Sequence, residues 1–144
     1  MNKIIVFDFM RTLYDPDEEK LIDGALELIQ AAQRMGYSLV LLSKTGAGRV
    51  DQLIDLGIVK YFNRIMLVNH KTLAMMQSFL TELGAIASDS FVIGDRAQHE
   101  LRVGNAAGMQ TIWYRQGKFA EELPIGYQPT HTINALESAI SRLA

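Results

Sequence analysis

Five short apolar runs alternate along the chain with five stretches of helical period, and that alternation narrows the fold more than any other feature. The runs are Lys3–Phe7, Ser38–Leu42, Arg64–Val68, Ser90–Ile93 and Gln110–Trp113. Each is apolar on consecutive residues rather than on alternate ones, the pattern of a strand covered on both faces. Between and after them lie helical segments at Gly24–Met35, Arg49–Leu56, Thr72–Leu83, Ala97–Ala107 and Asn134–Leu143. The first carries Leu26, Ile29 and Ala32 on one stripe and stops before Gly36, a C-terminal stop signal that Gly57, Gly84 and Gly108 repeat. Strand and helix alternating in this way predict an α/β fold: a three-layer α/β/α sandwich around a Rossmann-like parallel sheet. The stretch Arg115–Pro129 is the least regular and reads as a surface connection.

In such sheets ligands bind beyond the carboxyl ends of the strands, near the point where strand order reverses. Asp8 follows the first run and Ser43 the second. Lys71 stands just past the third, and Asp95 follows the fourth with Glu100 five positions on. A single Asp or Ser in such a place serves a turn or a helix cap just as readily. Four successive strands that each deliver a reactive group to one rim are a different matter.

The totals leave room for this and close other routes. At 144 residues, with 49% hydrophobic and 21% charged residues, the chain suits one soluble domain, here read as residues 1–144. The net charge of −2 has no like-charge block behind it, so a large nucleic-acid surface is not expected. The absence of cysteine removes disulfides, thiolate zinc sites and a thiol nucleophile. No apolar run approaches the length of a membrane span, and the first residues lack a signal-peptide layout, so the expected location is cytoplasmic.

Phosphoryl transfer through an aspartyl phosphate is chemistry this set of residues can share. Asp8 is the candidate nucleophile. Asp8, Asp95 and Glu100 offer the oxygen ligands that Mg²⁺ prefers. Ser43 and Lys71 would bind the phosphoryl oxygens, on which charge spreads in the transition state.

The stretches "FDFMRTL", "VLLSK", the lysine of "HKTLAMMQSFLTELG" and "VIGDRAQHELRVGNAAGM" resemble the four motifs of the haloacid dehalogenase-like (HAD) hydrolase superfamily, in order and at suitable spacing. The resemblance runs from Ile4 to Trp113. It implies the same three-layer fold. The gaps from Asp8 to Ser43 and from Ser43 to Lys71 are too short for a cap domain, which implies the capless type with a short flap around Thr12–Lys20. Sites of that type are open. They take larger substrates or gain a lid from a neighbouring subunit of a homo-oligomer.

One departure bears on activity. Phosphatases of the superfamily carry Asp-x-Asp in the first motif, and the second Asp protonates the leaving group and later activates water. Met10 holds that place here, and a thioether transfers no proton. The metal is affected less, because the resemblance assigns that position a backbone-carbonyl ligand. Arg11 stands where many members have Gly and reads as a flap residue. Thr72 replaces a proline that often follows the motif lysine.

Substitutes for the missing acid are Tyr14, Asp15 and Asp17 on the flap and His99 between Asp95 and Glu100. Asp15-Pro16-Asp17 also reads simply as a turn, and His99 as a surface residue. His70 and His131 have no metal pattern. Met75, Met76 and Met109 suit the core, and Trp113 and Tyr114 suit packing at a sheet edge.

The expected function is therefore a Mg²⁺-dependent phosphohydrolase acting on a phosphorylated small molecule or another phosphorylated substrate. The alternative is a non-catalytic domain that binds phosphate and Mg²⁺. Dehalogenase chemistry is a weaker third reading, because members with that activity rely on a cap. A dinucleotide-dependent oxidoreductase is excluded by the lack of Gly-x-Gly-x-x-Gly after the first run. A phosphoacceptor receiver domain would place its acid pair and its lysine in a different order.

Overall fold

The computed structural model describes residues 2–144, and its sheet grows outward in both directions from the first strand. That strand, β1 (Ile4–Phe7), is fully buried. A two-stranded hairpin follows, β2 (Tyr14–Asp15) with β3 (Lys20–Leu21), and then helix α1 (Ala25–Arg34). Next come β4 (Ser38–Lys44), α2 (Arg49–Asp55), β5 (Arg64–Val68) and α3 (Leu73–Glu82). The chain continues with β6 (Phe91–Gly94), α4 (Glu100–Ala106), β7 (Gln110–Tyr114) and β8 (His131–Ile133), and ends on a 3-10 helix at Leu136–Arg142.

All six strands of the main sheet run parallel, in the order β5-β4-β1-β6-β7-β8. The chain builds β1, β4 and β5 in one direction, then returns to the other side of β1 for β6, β7 and β8. Strand order thus reverses around β1. Phe7 lies level with Leu41 and with Ile93, so Asp8, Ser43 and Asp95 leave the sheet at nearly the same height.

Side chains alternate between the two faces, and both faces are covered. Ile5, Phe7, Leu39, Leu41 and Ile93 pack under Leu28, Ile29 and Ala32 of α1 and Leu136 and Ala139 of the terminal 3-10 helix. Ile4, Val6, Val40, Leu42 and Val92 pack under Met76 and Phe79 of α3 and Leu101 of α4. Gly104 lets α4 approach the sheet, since a Cβ there would stand 2.4 Å from Val92 Cγ2.

Several boundaries differ from the sequence reading. The helix expected over Ala97–Ala107 begins only at Glu100, because Arg96–His99 forms a turn with His99 N–H donating to Arg96 O. Asn134–Leu143 is a 3-10 helix rather than an α-helix. Strand β8 was not expected: it is three residues long, and its pairing with β7 is invisible from local sequence. It also places β7 inside the sheet, so Trp113 is not edge packing. Its buried indole N–H donates to Asp95 O at 3.1 Å. Met76 and Met109 are buried as expected. No helix among the described residues is long and apolar enough to cross a membrane.

Candidate phosphoryl-transfer site

Asp8 leaves β1 with its N–H still donating to Ile93 O of β6, so the first residue after the strand is held as firmly as the strand itself. The chain then turns sharply, and the amides of Thr12, Leu13 and Tyr14 all point to Phe9 O. The turn requires Arg11 at φ 63°, a left-handed conformation that costs a non-glycine residue about 1–2 kcal/mol. It brings the Thr12 hydroxyl, completely buried, to within 2.9 Å of Asp8 Oδ2 as a donor. Asp95 Oδ1 is more distant from the same hydroxyl, at 3.4 Å. Thr12 was missed in the sequence because only the turn folds it back onto Asp8.

Lys71 occupies the centre. Its ammonium donates to Asp8 Oδ1 at 2.5 Å and to Glu100 Oε1 at 3.0 Å, with 5% of the side chain exposed. Thr72 takes over the helix start: its hydroxyl accepts from Met75 N–H and caps α3. Glu100 is held on its other oxygen by the Arg96 N–H at 2.9 Å. Its carboxylate lies against Gly94, where a Cβ would stand 2.3 Å from Oε2. This explains why "VIGD" carries glycine before its aspartate.

The electrostatics are crowded. One oxygen each of Asp8, Asp95 and Glu100 lies within 4.8 Å of the others. Among the described residues, Lys71 is the one cation bonded to any of them. Burial, then the charges of Asp8 and Glu100, push the Asp95 carboxyl up to about 9. Burial and Asp8 push Glu100 up to about 7 against the pull of Lys71. Burial works against the Lys71 charge, but Asp8 and Glu100 outweigh it and hold the ammonium above the usual lysine range. Asp95 Oδ2 is buried with no hydrogen-bond partner. A buried carboxylate oxygen without a partner costs free energy in a protein without a counter-charge. Three convergent carboxylates, one with an orphaned oxygen, fit a hard divalent cation.

Ser43 is also fully buried at the end of β4, but its hydroxyl is engaged. It donates to Lys44 O at 3.1 Å and accepts from Arg49 Nη1 at 2.8 Å. Arg49, at the start of α2, also reaches Lys44 O at 3.0 Å and lies 5.4 Å from the centre of the Phe9 ring. It lines a cavity of about 300 Å³ together with Asp8, Met10, Lys71, Asp95 and Phe119. Ser43 does not line that cavity, and Arg49 presents the donor there. No sequence signal singled out Arg49.

Among the described residues, no acid stands in for Met10. Tyr14 is buried and stacked on Phe9 at 5.2 Å. Asp15 Oδ1 accepts from the amides of Asp17 and Glu18, which is the turn chemistry expected of that triplet. None of the three lines the cavity. His99 does, yet its Nε2 faces Arg96 Nη2 at 2.9 Å. An arginine only donates, so that nitrogen accepts and the ring proton resides on Nδ1. Burial, Arg96 and Lys44 lower its pKa further, and its engaged Nε2 is not a free base.

The irregular segment after β7 does more than connect. Arg96 Nε pairs with Glu122 at 3.0 Å, and its guanidinium stacks 3.7 Å from the centre of the Phe119 ring. Gln98 N–H donates to Glu122 at 2.8 Å, and Tyr127 OH donates to Ala97 O. These bonds dock Phe119 at the cavity mouth.

The fold and this arrangement are similar to those of HAD-like proteins, and known proteins show the same similarity. The family model described as "HAD-hyrolase-like" matches residues 72–139. A dihydroxyacetone phosphatase of Corynebacterium glutamicum (strain R) is 36% identical over 64 residues, which are 43% of this chain and 23% of that protein. The chain thus aligns to about a quarter of that relative's length. A HAD-superfamily hydrolase from Ehrlichia chaffeensis superposes with TM-score 0.71 at 16% identity, over 99% of this chain and 98% of that one. A 2-haloacid dehalogenase from Pseudomonas syringae pv. Tomato DC3000 gives 0.77 at 16% identity, over the whole of both chains. At such identities the two structures establish the fold alone. The resemblance to the HAD hydrolase superfamily is borne out, by fold across the described chain and by the family model over residues 72–139.

Proposed function

We propose that this chain is a Mg²⁺-dependent phosphohydrolase whose nucleophile is Asp8. The observation that carries the reading is the ion pair of Lys71 with Asp8 and Glu100, set beside the orphaned Asp95 Oδ2. Asp8, Asp95, the Met10 carbonyl and Glu100 would hold the metal, Glu100 directly or through water. When bound, Mg²⁺ offsets the negative charge that would otherwise keep a phosphate ester away from a carboxylate.

The chain's own groups divide the remaining work. An Asp8 carboxylate oxygen bonds to phosphorus, the ester P–O bond breaks, and the departing oxygen keeps the electron pair. Thr12 fixes the orientation of Asp8 through its hydroxyl. Lys71 and Arg49 donate to the phosphoryl oxygens. Met10 gives the departing oxygen no proton, so substrates whose leaving group is stable as an anion are favoured: acyl and aryl phosphates. Water then attacks phosphorus, the Asp8–phosphorus linkage opens, and the carboxylate returns with inorganic phosphate as product. That step lacks a positioned base, which favours a long-lived phosphoenzyme.

The non-catalytic reading has one specific observation behind it: among the described residues, no neighbouring acid or base replaces the group absent at Met10. In that case the site binds phosphate and metal without turnover.

Exposure to acetyl phosphate and Mg²⁺, acid quenching and intact-protein mass measurement separate the readings. The proposal expects one added phosphoryl group, lost in Asp8→Asn. An unmodified natural protein that still gains thermal stability from Mg²⁺ and phosphate together supports the binder.

A further inference from the structure

Two depressions flank the cavity, and their charges are opposite. One, of about 640 Å³, runs under the hairpin and shares Arg11 with the cavity. Asp15, Asp17, Glu18, Asp23 and Glu137 line it against the two cations Arg11 and Lys20. The other, of about 280 Å³, is lined by Lys44, His70, Lys71, Gln98, His99, Arg102 and Val103, with no acid. It shares Lys44, Lys71 and His99 with the cavity, so the two spaces are continuous across those three side chains.

We propose that this basic cleft is a second anion subsite, and that the natural substrate is a small phosphate ester with a second anionic group, a carboxylate or another phosphate. The inference rests on the phosphoryl-transfer reading, because it places the first phosphoryl group at Asp8. The charges available to the second group are Lys44 and Arg102. Lys71 is not among them, since its ammonium is already engaged by Asp8 and Glu100. Gln98 adds a neutral polar group. Concave walls of one sign focus the field onto a ligand that fits between them. The five acids of the other depression turn the same ligand away. The orientation of the ester follows: its charged tail runs past Lys71 and His99 toward α4 rather than under the hairpin. Specificity then comes from the core domain itself, from residues at a strand end and a helix start.

The test compares methylphosphonate, phosphonoacetate and 3-phosphonopropionate by calorimetric titration of the full chain in Mg²⁺. All three resist hydrolysis, and the last two add a carboxylate at two spacings. The proposal expects at least one carboxylate-bearing probe to bind about tenfold or more tightly than methylphosphonate. It expects that ratio to fall toward one in the double variant Lys44→Gln, Arg102→Gln, both of whose sites are exposed on the surface. Equal affinities for the three probes overturn the subsite and leave the phosphoryl site standing. A preference that persists in the double variant overturns it too. No binding by any probe overturns the phosphoryl-site reading together with the subsite.

Discussion

Lys71 and Asp8 form a buried ion pair of 2.5 Å, and the same ammonium also holds Glu100. One cation therefore serves three carboxylates when Asp95 is counted. The imbalance is the physical signature of this site. It leads to predictions that need no knowledge of the substrate.

The first concerns pH. Free carboxyls titrate near about 4, whereas Glu100 and Asp95 titrate at about 7 and about 9 in the folded chain. Between those limits the folded state binds more protons than the unfolded one. Stability in the absence of divalent metal must then fall as pH rises from about 4 to about 9. Urea unfolding at pH 5.5, 7 and 9 in EDTA should show that decline, and Mg²⁺ should flatten it by supplying the charge that protons supplied.

Above about pH 9, where the Asp95 carboxyl is ionised, Asp95→Asn removes one of the crowded charges and keeps the shape. The metal-free variant should unfold a few degrees higher than the natural protein, a gain of about 1 kcal/mol. It should also lose the thermal shift that Mg²⁺ produces. A fall in metal-free stability would show that Asp95 is held ionised by contacts other than those seen here.

Lys71→Met acts in the opposite direction. Removing one partner of a buried pair leaves uncompensated charge and typically costs about 3–5 kcal/mol. Chemical denaturation in EDTA should show a loss of that order, with partial recovery in Mg²⁺. A loss no larger than that of an exposed pair such as Arg64–Glu82 contradicts the central role of Lys71.

Arg49→Met should weaken phosphate binding in Mg²⁺ by about tenfold or more, the worth of a hydrogen bond from a charged donor. Ser43→Ala should weaken it less, since the Ser43 hydroxyl acts by holding Arg49. Equal losses would return Ser43 to the phosphate pocket.

Gly94→Ala sets a methyl group against Glu100. Such overpacking typically costs about 1–3 kcal/mol. Because it displaces a metal-ligand candidate, the Mg²⁺ shift should shrink along with the stability, whereas Gly36→Ala, with open space around its Cβ position, should leave the Mg²⁺ shift intact.

Much of this was legible in the sequence. Continuous apolar runs announced strands buried on both faces, and the polar residues after them announced the rim. Asp8, Lys71, Asp95 and Glu100 are brought together as their order along the strands suggested. What local sequence could not carry was contact between distant segments. Thr12 matters through a turn that depends on Arg11 at positive φ. Arg49 reads as an ordinary helix start until α2 is seen beside Phe9. Phe119 and Glu122 lie in a stretch with no period, and only Arg96 ties them to the site. Strand β8 is too short to show a pattern and exists because β7 offers it an edge.

Phosphate release from acetyl phosphate and p-nitrophenyl phosphate with Mg²⁺, for the natural chain, Asp8→Asn and Met10→Asp, tests the central claim most directly. The account predicts slow turnover by the natural chain, none by Asp8→Asn, and a gain of about 10²–10⁴-fold in Met10→Asp, the usual worth of a positioned acid-base group. Turnover that survives Asp8→Asn, or a Met10→Asp variant no faster than the natural chain, would contradict it.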